Sequence, residues 1–335
     1  MTEVLAGPLL ANGLRTDFWD TYTVTRNRVA DSNLSRVMDL GVPATNRRHE
    51  FGYFEAAPHA THWQTGDTIP TAAMDSVQFS ADVYPYARRV PWHKYDREDE
   101  QTQSLVDAAR AAGESFALLP ERLFFDLLTA GSTTIPAVNN APDGVAMFSA
   151  TDGASAARFG VSGGNIVTGN GATTIDSVQT DYYGAIRRFL DFQDGQGQPL
   201  LMPEVVAAGV TILFPLEMLE VMEQTFLQRR QGISSGSGSA TVGLNPSNLV
   251  QDASRNVHLW PSPRLTDTGD WYVFLNAPPK MSTFLLDRSG IQEFTAFEGD
   301  NNSDSVRDTG VEYIQWEQRL GAQIALPYAA IKVNN

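Results

Sequence analysis

Apolar residues recur with two different periods in the first third of the chain, and the first of these is the alternation typical of a β-strand. Apolar and polar residues alternate over residues 77–83, and the segment EFGYFEA, residues 50–56, is an earlier strand candidate. The stretch between them is rich in Pro, Gly, Thr and Asp. Together they predict a hairpin about 40–50 Å long, and a two-stranded ribbon of that length is not stable alone in water. We therefore expect something outside the ribbon to supply its packing.

The second spacing predicts a long amphipathic helix over residues 97–129. Pro120 should kink or divide this helix, because an interior proline costs about 3 kcal/mol. The apolar stripe recurs at spacings of four and three and consists of Leu105, Ala109, Ala112, Phe116, Leu119, Leu123 and Leu127.

Further elements alternate between helix and strand along the rest of the chain. The pattern predicts a helix over residues 174–193, a buried strand over 204–214, and a helix from Pro215 to about Arg230. Residues 232–243 read as a flexible Gly/Ser loop. Later strands are predicted at NVHLW, DWYVFL, STFLL, QEFTAF, VEYIQWEQ and near QIALPYAAI. This mixed order indicates an α+β fold.

The N-terminal residues 1–46 contain apolar side chains but no sustained period. Such a segment cannot form a core of its own, so it either folds against the body or lies along a neighbouring molecule. Among its apolar residues are Phe18 and Trp19.

Composition narrows the classes of function. The chain has 335 residues, 24 basic against 39 acidic, and a net charge of −15. Binding nucleic acid by neutralising phosphates needs a clustered cationic face, and the basic pairs here are scattered. With no cysteine, disulfides, thiolate zinc sites and cysteine nucleophiles are excluded. No apolar run approaches the roughly 20 residues that span a bilayer, and we expect no membrane partner.

The segment PHATHWQTGDTIP raises the question of a metal site at His59 and His62. In an extended strand, residues three apart point to opposite sides, so chelation would need a turn and a third ligand such as His49, Glu55 or Asp67. A polar and aromatic contact surface is the favoured interpretation, with no metal and no cofactor.

Motifs for catalysis do not hold together. Gly-x-Ser-x-Gly occurs around Ser162 and Ser234, but neither lies where a strand runs into a helix, as a nucleophile elbow requires. Residues 164–169 resemble the start of a P-loop without its lysine. Asp300, Asp304 and Asp308 have a spacing like a calcium loop but lack its glutamate. We therefore predict that the protein is not an enzyme; a serine hydrolase remains as the alternative of a different class.

The order of parts resembles the tailed-phage major capsid proteins of the Hong Kong 97 type, specifically the Mu-like major head subunit family. The resemblance covers about residues 45–333 and is carried by EFGYFEAAPHATHWQTGDTIP, VPWHKYDREDE, DGVAMFSATD, PRLTDTGDWYVFL and RLGAQIALPYAAIKV. Met147 stands where that family has an aromatic residue, and Gly153 stands near an expected histidine.

The resemblance implies a domain plan. Residues 1–46 would be an N-arm, 47–95 an extended loop, 96–172 the spine helix and peripheral domain, 173–285 an axial domain, and 286–335 a return to the peripheral domain. His59, His62, Trp63 and Asp67 would lie at the extended-loop tip and contact a neighbouring subunit. Phe18 and Trp19 would be the contact residues of the N-arm.

The implied function is a head protein that assembles as hexamers and pentamers into an icosahedral shell around double-stranded DNA. Its partners would be its own copies, a portal, a decoration protein and DNA held without sequence-specific contacts. Because the sequence starts near the N-arm, scaffolding is expected from a separate protein or a removed segment. The protein would be found in the virion, assembled in the host bacterial cytoplasm. A nanocompartment shell of the same fold is the closest alternative.

Overall fold

A computed structural model of the chain describes residues 7–30, 33–56, 75–93, 95, 103–129, 141–152, 154–171, 174–195, 197–227, 256–276, 281–296 and 308–335. Within these ranges the helices are α1 (Gly7–Ala30), α2 (Leu34–Val37), α3 (Gln103–Ala117), α4 (Leu119–Leu128), α5 (Ile175–Asp191), α6 (Pro203–Ala207) and α7 (Leu219–Phe226). The strands are β1 (Met38–Pro43), β2 (Arg48–Ala56), β3 (Asp75–Asp82), β4 (Tyr84–His93), β5 (Ile166–Thr168), β6 (Val210–Pro215), β7 (Val257–Ser262), β8 (Trp271–Leu275), β9 (Thr283–Ala296), β10 (Val311–Ile324) and β11 (Ala330–Asn334).

A four-stranded sheet in the order β1-β9-β10-β4 forms one half of the body. β10 pairs antiparallel with both β9 and β4, whereas β1 runs parallel to β9. Every second residue of β10 from Glu312 to Leu320 is buried, so one face of the sheet is covered. Ile314 and Trp316 on that face pack with apolar residues of α1 and α3.

A five-stranded sheet in the order β5-β11-β8-β6-β7 forms the other half. All residues of β6 and β8 are buried, as expected for central strands covered on both faces. α5 and α7 cover one face around Val178, Tyr182 and Met222. On the other face, Phe274 of β8 packs against Phe124 of α4, which joins the two halves.

The predicted spine helix is divided at the predicted place. α3 ends at Ala117 and α4 begins at Leu119, with Pro120 in the first turn of α4, where its missing N–H costs no hydrogen bond. The predicted helix over residues 174–193 is α5. Thr174 caps it, because its hydroxyl oxygen accepts the Ser177 N–H at 3.2 Å.

Three predicted elements differ from the structure. Residues 204–214 do not form one strand, because Pro203 begins the short helix α6 and Gly209, at a φ of 139°, turns the chain into β6. Pro215 ends β6 rather than beginning a helix; a 3₁₀ turn at residues 216–218 precedes α7. The separately predicted segments STFLL and QEFTAF form the single strand β9, whose pairing with β10 shifts register near Ser289.

Two pairings join stretches that are far apart in the sequence. β4 pairs with β10 in the four-stranded sheet. β11 pairs with β8 and β5 in the five-stranded sheet, so β10 and β11 lie in different sheets. Both placements follow from strand pairing between residues that are distant in sequence, which local patterns do not specify.

Candidate subunit-contact surfaces

The hairpin of β2 and β3 leaves the body from an aromatic root. Phe51 pairs with Phe79 across the hairpin, with ring centroids 5.5 Å apart. Phe51 also makes an edge contact with Phe284 of β9, at 5.0 Å between centroids. Such aromatic pairs add roughly 0.5–1.5 kcal/mol beyond area burial. The root of the hairpin is therefore fixed on the four-stranded sheet, and an apolar cleft of about 270 Å³ lies beside it.

A charged pair closes the hairpin at its base. Arg48 donates from Nε and Nη2 to the two carboxylate oxygens of Asp82, at 2.9 and 3.1 Å. These hydrogen bonds lower the pKa of Asp82. Because the Arg48 side chain is 63% exposed, solvent screens the pair and its contribution to stability is small. Arg48 and Asp82 are direct partners across the hairpin, so the pair is consistent with the observed register.

His49 holds the turn through which the chain enters the hairpin. Its Nε2 accepts the backbone N–H groups of Thr45 at 2.9 Å and Asn46 at 3.0 Å. An imidazole nitrogen that accepts two N–H groups carries no proton, so its lone pair is occupied by the backbone. His49 thus has a structural role, because it holds the turn at the entry to the hairpin.

The predicted tip residues fall beyond the part of the chain that the structure describes. These are His59, His62, Trp63 and Asp67. Their contact with a neighbouring subunit stays a prediction. Among the described residues, no group of three or more potential ligands is placed to hold a metal ion.

The N-terminal segment folds against the body as helix α1, which corrects the expected role of Phe18. Phe18 is 0% exposed, and its ring stacks on Trp316 with centroids 4.2 Å apart and planes 4° apart. In this chain Phe18 is therefore a core residue rather than a surface contact. Trp19 is half-buried beside Tyr22, at 5.4 Å between centroids, and its role between subunits stays a prediction.

A glycine allows α1 to lie very close to α3. An ideal Cβ on Gly113 would be 2.5 Å from the carbonyl oxygen of Phe18 and 3.2 Å from the nitrogen of Tyr22, so the two backbones touch at this point. Ion pairs flank the crossing. Arg110 donates to Asp17 at 2.7 and 3.0 Å, and Arg15 pairs with Glu293 of β9.

A buried arginine organises the turn-rich segment DGVAMFSATD. Arg158 is 1% exposed and forms two hydrogen bonds with Asp143, at 2.7 and 3.0 Å. Its Nη1 donates to the carbonyl of Met147 at 2.8 Å. Asn165 completes the network by donating to the carbonyls of Met147 and Pro327, at 2.8 and 3.0 Å. Sequence reasoning did not single out Arg158 or Asn165, because an isolated charge in an irregular segment carries no periodic signal.

Of the catalytic motifs, the one around Ser162 lies within the described residues, and it lacks the geometry of a nucleophile elbow. Ser162 lies in a turn before β5 rather than between a strand and a helix, and Gly164 in the same motif has a φ of 53° against the backbone of Ser149. Ser234, Asp300 and Asp304 lie outside the described residues. His258 contacts Arg36 at 2.9 Å, and its pKa is lowered by burial and then by that arginine.

No helix among the described residues is long and apolar enough to cross a bilayer.

No family model matches the sequence, and no curated protein matches it. Solved structures, in contrast, match the fold over nearly the whole chain. The capsid of Myoviridae phage XM1 has a TM-score of 0.54 at 10% identity, with 90% of each chain covered. A chain of Microbacterium phage Oxtober96 has a TM-score of 0.52 at 12% identity, also with 90% of each covered. The virus-like particle from Pyrococcus furiosus has a TM-score of 0.51 at 10% identity, covering 96% of this chain and 98% of that one. The chain therefore has the Hong Kong 97-type fold of phage capsid proteins, as the sequence predicted.

Proposed function

We propose that this chain is a major head protein whose copies assemble as hexamers and pentamers into an icosahedral shell around double-stranded DNA. The observation that carries the proposal is the fold shared with the phage XM1 capsid over 90% of both chains. A likeness across full lengths leaves little of the chain to serve another purpose. Closed shells arise when one subunit presents different surfaces that repeat around symmetry axes.

The hairpin gives this proposal a physical basis. Phe51 and Phe79 fix its root on the body, and the two strands continue outward from there as a two-stranded ribbon. An isolated ribbon of this kind is marginal in water, so packing on a second copy would complete it.

The domain plan enters the proposal in the form implied by the resemblance. Residues 1–46 form the N-arm, 47–95 the extended loop, 96–172 the spine and peripheral domain, 173–285 the axial domain and 286–335 the return. The packing of β10 on α3 supports the placement of the spine and the return in one peripheral domain, and the packing of α5 and α7 on β6 and β8 supports the axial assignment.

The extended-loop tip would be the contact of one subunit with the next, through His59, His62, Trp63 and Asp67. Trp63→Ala should reduce shell yield strongly while the monomer stays folded, because interface tryptophans often carry a large share of binding energy. Tyr53→Phe, a milder change in the same hairpin, is the matched control. Normal shells from Trp63→Ala would remove the tip from the proposal.

The remaining partners follow from a shell role. A net charge of −15 is consistent with a shell that encloses DNA without neutralising its phosphates. The DNA would be held without sequence-specific contacts. A portal, a separate scaffolding protein and a decoration protein are proposed partners. The proposed location is the virion, after assembly in the host cytoplasm.

The test is to express the chain with its genomic neighbours and examine the product by electron microscopy and sedimentation. We expect icosahedral shells containing nuclease-protected DNA. Shells that hold a protein cargo and no DNA would indicate a nanocompartment instead, as the likeness to the Pyrococcus furiosus virus-like particle would allow. Tubes, or a chain that never assembles, would refute the shell role.

A further inference from the structure

Large apolar side chains are exposed on the helix layer over the five-stranded sheet. Tyr183 and Leu190 of α5 are 38% and 37% exposed, and Leu216 and Leu227, at the two ends of α7, are 46% and 57% exposed. Isolated exposed apolar residues are ordinary, but here two occur on each of two neighbouring helices, and clustered apolar exposure is typical of interaction surfaces.

The exposed side of α5 carries a stripe with a positive charge in the middle. Tyr183, Arg187 and Leu190 follow one another at spacings of four and three, so they share one side of the helix. The next arginine, Arg188, points elsewhere, because its guanidinium donates to the carbonyls of Ser162 and Gly164. Arg187 makes no ion pair with any residue in the described ranges.

The exposed side of α7 carries the opposite charge between apolar ends. Glu220, Glu223 and Leu227 recur at α-helical spacings of three and four, and the exposed Leu216 lies in the 3₁₀ turn just before the helix. Glu220 accepts a hydrogen bond from Gln224 at 3.0 Å. Within the described part of the chain, neither glutamate forms an ion pair. The α7 stripe is thus acidic where the α5 stripe is basic.

The two stripes lie on adjacent helices of one layer. α5 packs against β5 and β11, with Gly184 close to Val167 of β5. α7 packs against β7, the strand at the opposite edge of the sheet. The two helices contact each other through Tyr182 and Phe226, whose ring centroids are 5.1 Å apart. Opposite charges on two different helices allow a head-to-tail contact between copies, which closes into a ring when the rotation permits.

We propose that the α5 stripe of one copy binds the α7 stripe of the next, with Arg187 paired to Glu220 and Glu223 across the interface. The occupant is a second copy of this chain, because the chain supplies both complementary surfaces. This inference rests on the proposed shell function and adds to it the residues that join neighbours within a ring. Tyr183 and Leu190 would meet Leu216 and Leu227 and exclude water from the charged pair, which strengthens it.

Charge reversal tests the pairing. The two reversed forms are Arg187→Glu and the double variant Glu220→Arg/Glu223→Arg. Each alone places like charges in contact, so we expect the assembled fraction to fall at least about tenfold, as measured by sedimentation and electron microscopy at low salt. Circular dichroism of the unassembled fraction shows whether each variant is folded. Arg288→Glu, the same reversal on an exposed arginine of β9, is the matched control and should assemble normally.

Mixing the two reversed forms separates contact between copies from contact within one chain. In a mixture, the new negative charge at position 187 of the first variant faces the new positive charges at positions 220 and 223 of the second. The unchanged stripes of the two variants also carry opposite charges and match each other. We therefore expect six-fold rings to recover when the folded variants are mixed, while five-fold rings, which cannot alternate two forms, stay depleted.

The outcomes distinguish this inference from the shell function. If the wild-type chain forms no shells, the shell function fails. If the wild type forms shells and Arg187→Glu does so equally well, only the pairing is refuted. Loss of assembly in Arg288→Glu to the same extent, or no recovery in the mixture, would also overturn the pairing.

Discussion

The contact between α1 and α3 yields the sharpest prediction, because it depends on the absence of one methyl group. Gly113→Ala would place a Cβ at 2.5 Å from the Phe18 carbonyl oxygen, where real contacts stay above about 3.0 Å. The helix α1 must then move away from α3. That movement disturbs the stack of Phe18 on Trp316, which now has a centroid distance of 4.2 Å.

The magnitude follows from two opposing terms. Overpacking a close helix contact costs about 1–3 kcal/mol. Replacing glycine by alanine within a helix returns about 0.5–1 kcal/mol. The terms differ by about 0–2.5 kcal/mol, and their mid-range values predict that Gly113→Ala lowers the free energy of unfolding by roughly 1 kcal/mol, measured by urea denaturation of the unassembled chain.

The matched control is the same substitution in the partner helix. Gly13 of α1 has nothing within 4 Å of its ideal Cβ, so Gly13→Ala should stabilise the chain by about 0.5–1 kcal/mol through helix propensity alone. The two variants should therefore change stability in opposite directions. Equal stabilisation by both would show that α1 does not lie on α3 at this distance.

Three further predictions concern the interior. Arg158→Met leaves the Asp143 carboxylate without its buried partner, so we expect the free energy of unfolding to fall by about 3–5 kcal/mol in thermal or urea unfolding. A decrease below about 1 kcal/mol would contradict the importance of this network. Gly164 has a φ of 53°, and a Cβ at this position would also clash with the backbone of Ser149; Gly171 has a φ of 84° but open space around it. Gly164→Ala should therefore destabilise the protein more than Gly171→Ala. The reverse order in unfolding experiments would count against the loop geometry. Burial raises the pKa of Asp287, so the folded state binds this proton more readily than the unfolded state, and ionisation of the carboxyl lowers the stability of the folded protein as the pH rises. Asp287→Asn, which cannot ionise, should therefore gain stability relative to wild type as the pH rises from about 4 to 7. The opposite trend in pH-dependent unfolding would refute this prediction.

Local patterns were sufficient for the elements with strong periodicity. The four-and-three spacing identified the helix that becomes α3 and α4, and Pro120 placed its division correctly. The alternation near Phe79 identified β3 and its pairing with β2. These predictions succeeded because side-chain period and proline geometry act within a few residues.

The candidate site was less accessible to sequence reasoning. The hairpin was foreseen, but its anchoring through Phe284, more than 200 residues away, was not. The charged stripe around Arg187 has the same local appearance as any solvated helix face. Its proposed role can be inferred only once the structure places the acidic helix α7 beside α5 on the same sheet.

The sequence by itself determined the α+β class, the hairpin, the divided spine helix and the absence of cysteine chemistry, since each depends on residue type and short spacing. Only the tertiary structure decided that Phe18 lies inside its own subunit, that β11 joins the five-stranded sheet, and that α1 packs closely on α3 at Gly113. Those outcomes depend on which surfaces, distant in sequence, pack together. The free energy that favours one packing over another is the sum of many contacts, so no single segment of the sequence specifies it.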